Sequence, residues 1–272
     1  MTWGVHGLTV RHGDVLALDD VTLDVPVGQV GAVVGGDGAG KTTLLRALVG
    51  AVAPRAGRVE APPSRQVGFM PTTSGVWREL TVDENVDFVA AAHGVRGARL
   101  ARRRERLLTQ AGLLDARDRL GSALSGGMRQ KLALCLAMLH EPDLLVLDEP
   151  STGVDPVSRV ELWRMVSAAA AGGAAVLMAT TYLDEAERCA HVLVLDAGRV
   201  LLSGAPDEVV RQVPGVVRRT GTATDRTRAW RRGRELHEWA PAAGASHGTV
   251  LDPPDLEDAV IAAALAREVR GA

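Results

Sequence analysis

Lysine is almost missing from this 272-residue chain: Lys41 and Lys131 are the only two, and arginine supplies the rest of the 31 basic side chains. Aromatic residues make up only 3%, with a single tyrosine, Tyr182. The codon usage of a GC-rich genome would produce both shortages without any functional demand. Neither sign of charge dominates, since 31 basic groups face 33 acidic ones for a formal net charge of −2. That balance excludes a general electrostatic grip on nucleic acid or on an acidic membrane. The two cysteines, Cys135 and Cys189, have no Cys-x-x-Cys partner and no clustered histidines. They exclude a zinc site or disulfide framework and read as small buried apolar side chains. Long hydrophobic runs are lacking too: the weakly polar stretch 168–179 falls short of the ~20 residues that cross a bilayer. Residues 1–10 lack the basic-then-apolar order of a secretory signal, so a cytoplasmic location is expected. What remains is ample core material, with 46% hydrophobic residues over a length that suits one large domain or two small ones.

Residues 8–25 read as short strands, because Val21-Thr22-Leu23-Asp24-Val25 alternates apolar and polar positions. The unalternating runs 30–34, 144–147 and 175–178 suit strands buried on both faces of a parallel sheet. Helices are expected from Lys41 to about 49, from Thr81, after Ser125 and over about 159–171. Thr81-Val82-Asp83-Glu84 has the form of a capping box, with Val82, Val86, Val89 and His93 following at helical spacing. Met128, Leu132, Leu136 and Leu139 form another stripe. The arginine-rich run 99–108 has no interleaved aromatics and reads as a solvated helix face. Strand and helix alternation therefore predicts an α/β sheet with a largely helical insert between about 75 and 135. Residues 208–272 look less regular: an arginine-rich stretch at 226–234, a Pro/Ala/Gly-rich stretch from Pro241, and a last helix from Pro254 with Leu256, Val260, Ala263 and Ala264 on one face.

Gly35-Gly36-Asp37-Gly38-Ala39-Gly40-Lys41-Thr42 satisfies every fixed position of GxxxxGK[ST], after a predicted strand and before a predicted helix. Glycines there let backbone N–H groups point at phosphate oxygens, and the helix adds its positive end. Lys41 would reach the β- and γ-phosphates, and the Thr42 hydroxyl would coordinate Mg²⁺. Leu144-Leu145-Val146-Leu147-Asp148-Glu149-Pro150 delivers two carboxylates at the end of an apolar strand. Asp148 is placed to hold Mg²⁺ and Glu149 to orient and deprotonate the attacking water.

Leu124-Ser125-Gly126-Gly127-Met128 resembles the LSGGQ signature of ATP-binding cassette (ABC) proteins, with Met128 in place of glutamine. The resemblance covers about residues 5–210. It implies a P-loop NTPase, RecA-like parallel-sheet core with an N-terminal antiparallel β subdomain and a helical subdomain at about 75–135, leaving 211–272 as a C-terminal accessory segment. It also implies ATP and Mg²⁺ as ligands. Gly35 to Lys41 with Thr42 and Thr43 would bind nucleotide, while Ser125, Gly126, Gly127 and Met128 would contact the ATP of a facing cassette. Asp155, in Ser151-Thr152-Gly153-Val154-Asp155, matches the D-loop that communicates across the dimer. His12 stands where the family usually stacks an aromatic ring on adenine, and both that role and a plain loop histidine are open to it. Two positions depart from the pattern: Thr72 replaces a glutamine that touches Mg²⁺ and water, and Thr181 replaces the switch histidine that contacts the γ-phosphate.

Wider similarity at 124–131, 154–159, 182–189 and 255–259 looks like the type-2 ABC exporters of drugs and other apolar molecules. The resemblance is greatest to the degenerate first cassette of tandem-cassette exporters. It implies an ATPase subunit on the cytoplasmic side of the cell membrane, working with a separate transmembrane permease and a second cassette, identical or intact, and not with nucleic acid. Trp77 is either an exposed anchor for that permease or a core side chain. The alternative reading is a nucleotide-gated module that does not hydrolyse, or a soluble ABC module not coupled to transport.

Overall fold

The computed structural model describes residues 2–241 and 248–271. Most of the Pro/Ala/Gly-rich stretch after Pro241 therefore lies outside the described residues. Strands β1 (Thr2–His12) and β2 (Val15–Pro26) form an antiparallel ribbon, longer than the short strands expected. Along the second half of β2 the buried side chains Val21, Leu23 and Val25 alternate with exposed Thr22 and Asp24, which makes the alternation readable there. After β3 (Val30–Val34) and helix α1 (Lys41–Leu48), β4 (Ala56–Glu60) returns to pair with the free edge of β1.

The chain then returns to the central sheet, begun by β3, at β5 (Val67–Met70) and leaves it for α2 (Val82–Ala92), α3 (Gly97–Ala111) and α4 (Gly126–Met138), the helical insert. Both bonds of the capping box close at the start of α2: Glu84 N–H donates to Thr81 Oγ1 at 3.2 Å, and Thr81 N–H to Glu84 Oε2 at 2.7 Å. The arginine run of α3 is not wholly solvated. Arg103 is 5% exposed, donates to the Leu139 carbonyl at 3.2 Å and pairs with Glu141. That carbonyl lies just past the end of α4, where a buried cation satisfies a group the helix cannot.

β6 (Leu144–Asp148), α5 (Pro156–Ala171), β7 (Ala175–Thr180), the single turn α6 (Leu183–Ala186), β8 (His191–Asp196) and β9 (Arg199–Gly204) complete a sheet of order β5-β6-β7-β3-β8-β9, parallel except for β9. Successive strand residues feed two cores. Val33, Val146, Leu177 and Leu193 pack with Leu44, Leu45 and Leu48 of α1 and with the ribbon. Val34, Leu147, Met178 and Val194 pack under α2 to α5. Both faces are covered, which explains apolar runs without alternation.

Residues 206–271 correct the expectation of irregularity. After α7 (Pro206–Val209), strands β10 (Val216–Thr220), β11 (Ala229–Arg232), β12 (Glu235–Ala240) and β13 (Thr249–Val250) form a second antiparallel sheet of order β11-β12-β10-β13, followed by α8 (Leu256–Gly271). Arg226 and Arg228 lie in the turn before β11, Arg231 and Arg232 in β11, and Arg234 in the turn that follows it. The buried apolar residues of α8 are Leu256, Ala259, Ala262, Ala263 and Ala266, with Asp258 buried beside them, whereas Val260 and Ala264, expected on its apolar face, are only half-buried. Cys135 and Cys189 are buried as expected, and burial pushes both thiols up to about 12, leaving them protonated and inert.

His93, at the end of α2, stacks on His140, after α4, with ring centroids 3.8 Å apart. His140 Nε2–H donates to the Val67 carbonyl at 3.1 Å. Burial, then the neighbouring His93, lowers the His140 pKa to about 4. The unfolded chain takes up a proton near pH 6.5 that the folded chain refuses until about pH 4, so this contact loses stability as pH falls through that window. Thermal melting followed from pH 7 to pH 4 is expected to decline less steeply for His140→Phe than for the unaltered chain; parallel slopes would contradict the assignment.

Candidate nucleotide site

The phosphate loop joins β3 to α1 at the C-terminal edge of the parallel sheet, the edge at which α/β folds bind ligands. Gly40 caps α1 with φ 105°, and a Cβ there would lie 2.8 Å from the Ala17 carbonyl oxygen, so glycine is required on both counts. Lys41 is 6% exposed. Its Nζ donates to the carbonyls of Gly35 at 2.7 Å and Gly36 at 3.1 Å, folding the ammonium back across the mouth of its own loop. Gly36, Asp37 and Gly38 form the exposed crest and Ala39 is buried.

β6 brings Asp148 to the same edge, buried at 1% exposure. Thr42 Oγ1 donates to Asp148 Oδ1 at 3.2 Å, and Thr72 Oγ1 donates to Asp148 Oδ2 at 2.7 Å. Thr72 is thus brought directly to the carboxylate, where the sequence suggested only a lost contact. The three groups offer hard oxygen donors of the kind Mg²⁺ takes beside substrate phosphates, so the residues fit that ion. Glu149 follows with φ 54°, a left-handed backbone rare for glutamate. Its N–H donates to the Ala179 carbonyl at 3.0 Å, and Thr152 Oγ1 donates to its Oε2 at 3.0 Å. That leaves Oε1 3.9 Å from Lys41 Nζ. His12 is exposed at the end of β1 with Nε2 3.3 Å from Thr43 Oγ1, beside the loop.

The signature residues sit elsewhere. Ser125 caps α4, accepting from Met128 N–H at 3.2 Å, and Met128 packs against the core. Among the described residues no hydrogen bond or ion pair joins 125–128 to 35–43. Instead, a Cβ on Gly127 would stand 3.0 Å from Ser158 Oγ and 3.4 Å from Asp155 Oδ2. Asp155 caps α5 by accepting from Val157 N–H and Ser158 N–H, both at 3.0 Å, and these bonds, that from Ser158 first, hold its carboxyl below the usual range.

At the end of β7 the anchored threonine is Thr180, not Thr181. Thr180 Oγ1 donates to buried Glu185 at 2.7 Å and accepts from Tyr182 N–H at 3.0 Å, while Thr181 is exposed. Arg159 of α5 lies 4.1 Å over the Tyr182 ring and pairs with Asp184 at 3.0 Å and Glu185 at 3.4 Å. Sequence reasoning did not single out Thr180, Arg159 or Glu185, whose contacts form only when α5 lies beside β7. It also missed Asn85, fully buried, which accepts from Trp77 N–H and donates to the carbonyls of Trp77, Leu80 and Thr81, fixing the loop that carries Trp77. Trp77 itself is 41% exposed and leans on exposed Phe88 with centroids 4.3 Å apart, which decides against the core alternative. A cavity of about 340 Å³ lined by Leu107, Met138 and Leu145 lies at the opposite edge of the sheet, away from Lys41. Among the described residues no helix is long and apolar enough to cross a membrane.

The sequence model of the ABC transporter family matches residues 18–152. The probable multidrug ABC transporter ATP-binding protein YbhF of Escherichia coli is 39% identical over 212 residues, covering 74% of this chain. The chain spans only 37% of that relative's length. The daunorubicin resistance ATP-binding protein DrrA3 of Streptomyces coeruleorubidus is 36% identical, over 78% of this chain and 70% of its own. A solved ATP-binding subunit of an ABC transporter superposes with a TM-score of 0.72 at 32% identity, covering 78% of this chain and 93% of its own. A phosphate loop, a buried Asp148 and a signature helix in this arrangement, together with these likenesses, make one conclusion plain: the chain belongs to the ABC transporter family of ATP-binding proteins.

Proposed function

We propose that the chain is the ATP-binding and ATP-hydrolysing subunit of an exporter for drug-like or other apolar substrates. The observation that carries this is the convergence of Lys41, Thr42, Asp148 and Glu149 at one sheet edge, with Lys41 Nζ 3.9 Å from Glu149. Loop amides and the N-terminal end of α1 hold the phosphates, and Lys41 exchanges its loop carbonyls for β- and γ-phosphate oxygens. Thr42 and Asp148, with Thr72 hydrogen-bonded to the same carboxylate, would hold Mg²⁺. When bound, that ion offsets charge on the transferring phosphoryl group. Glu149, its backbone and one oxygen fixed by Ala179 and Thr152, accepts the proton of the attacking water.

No hydrogen bond or ion pair among the described residues joins Ser125 to Met128 to the phosphate loop, which supports their use by a second cassette, identical or intact, facing this one. Thr181 is too short to contact a γ-phosphate as histidine does. This supports slow turnover at the chain's own site while its signature completes the partner's. His12 stacks on adenine in this reading. The relatives' names, with multidrug transport and daunorubicin resistance among them and Nod factor export in another, support export, and the exposed Trp77–Phe88 pair supports docking of a separate transmembrane permease at the cytoplasmic face of the membrane.

Reconstituted in liposomes with its permease and second cassette, the chain is expected to support substrate-stimulated ATP hydrolysis. Lys41→Ala should weaken ATP binding to the isolated chain on the order of a hundredfold, by loss of a buried ammonium–phosphate contact. Absence of stimulation with every cassette partner supplied would refute the transport role.

The division of labour has its own signature. If this site turns over slowly, Glu149→Gln should cost the assembly far less than the roughly hundredfold loss of a working general base. Ser125→Ala should cost it about tenfold or more through the partner's site. The reverse ranking rejects the degenerate-site reading.

A further inference from the structure

The β8–β9 hairpin turns at Ala197 and Gly198, with φ of 43° and 78°, the positive values that a two-residue turn of this twist requires. On its inner side Gly198 N–H donates to the Ala39 carbonyl at 3.0 Å, and the Gly198 carbonyl accepts from Asp19 N–H at 2.9 Å. A Cβ on Gly40 would lie 3.6 Å from Gly198 Cα. The last two residues before Lys41 therefore rest on this turn.

On its outer side the turn is held from α8. Arg267 Nη1 donates to the Asp196 backbone carbonyl at 2.5 Å and to Asp196 Oδ2 at 2.7 Å. Helix α8 is in turn fixed from two directions. Leu256, Ala259 and Ala263 share a core with Val192, Val194 and Leu202, while Ala262 and Ala266 pack with Val217 and Trp239 of the second sheet. A guanidinium thus connects the C-terminal unit to the turn beneath the phosphate loop.

From this geometry we propose that Arg267 is a positioning residue for the phosphate loop, through which the unit formed by β10 to β13 and α8 sets how tightly the loop holds ATP. Arg267 touches no substrate and acts through Asp196 and Gly198. The proposal rests on ATP binding at residues 35–42, as argued above. Both acceptors, one on the backbone and one on the side chain, are served by the single nitrogen Nη1, so the ammonium of lysine, with three donors of its own, can replace it in part. Arg267 and Asp196 are 35% and 48% exposed, so their ion pair adds little to global stability, and its loss is read in the loop it steadies.

Calorimetric titration of the full chain with Mg–ATP tests this beside thermal melting and the kinetics of the assembly. Arg267→Ala is expected to raise the Kd and KM for ATP about fivefold, with kcat and melting temperature little changed. Arg267→Lys should recover part of the loss, and adding Asp196→Ala to Arg267→Ala should add little. Equal ATP affinity in the unaltered chain and Arg267→Ala overturns the proposal, as does a loss of affinity that only tracks a fall in melting temperature. An unaltered chain that binds no ATP would instead remove the nucleotide-site reading, and this proposal with it.

Discussion

Backbone packed directly against backbone beneath the phosphate loop is the constraint on which the rest of the structure depends. Gly40 leaves no room for a side chain over Ala17, and a Cβ on Gly198 would stand 2.6 Å from the same carbonyl. With those approaches in place, α1 begins at Lys41 directly after Gly40. The N-terminal ribbon, the β8–β9 turn and the loop become a single layer. A parallel sheet buried on both faces supplies the rigid edge, and β6 delivers Asp148 and Glu149 to that edge at fixed height.

A second line of contact runs across the molecule. Gly127 at the head of α4 abuts Asp155 and Ser158 at the head of α5, and one residue further on Arg159 holds Tyr182, Asp184 and Glu185. Glu185 then fixes Thr180 at the end of β7, immediately before Thr181. The first turn of α5 therefore touches both the head of α4 and the segment that follows β7.

Much of this was legible in the sequence, for reasons specific to each part. The phosphate loop shows itself because its backbone demands glycine at fixed spacing. Asp148 and Glu149 show themselves because an apolar run ends on them, and Thr81 because a capping box is local. The rest depended on contacts between distant residues. Arg103 looks like any other arginine of α3 until the end of α4 brings the Leu139 carbonyl to it. Thr72 reads as a lost glutamine until β5 and β6 pair and set its hydroxyl 2.7 Å from Asp148. The second sheet was missed because its strands are four to six residues long or shorter, with arginine and glutamate set among the apolar positions.

Helix α8, lying between two cores, has a consequence for how the protein is made. Its small side chains close the apolar face formed by β8 and β9, yet they follow those strands in the chain after the whole second sheet. During synthesis from the N-terminus, the cassette sheet is complete while that face is still open to water, and exposed apolar surface of this kind invites association between nascent chains. Closure of that face therefore depends on a segment that the chain supplies only after the second sheet.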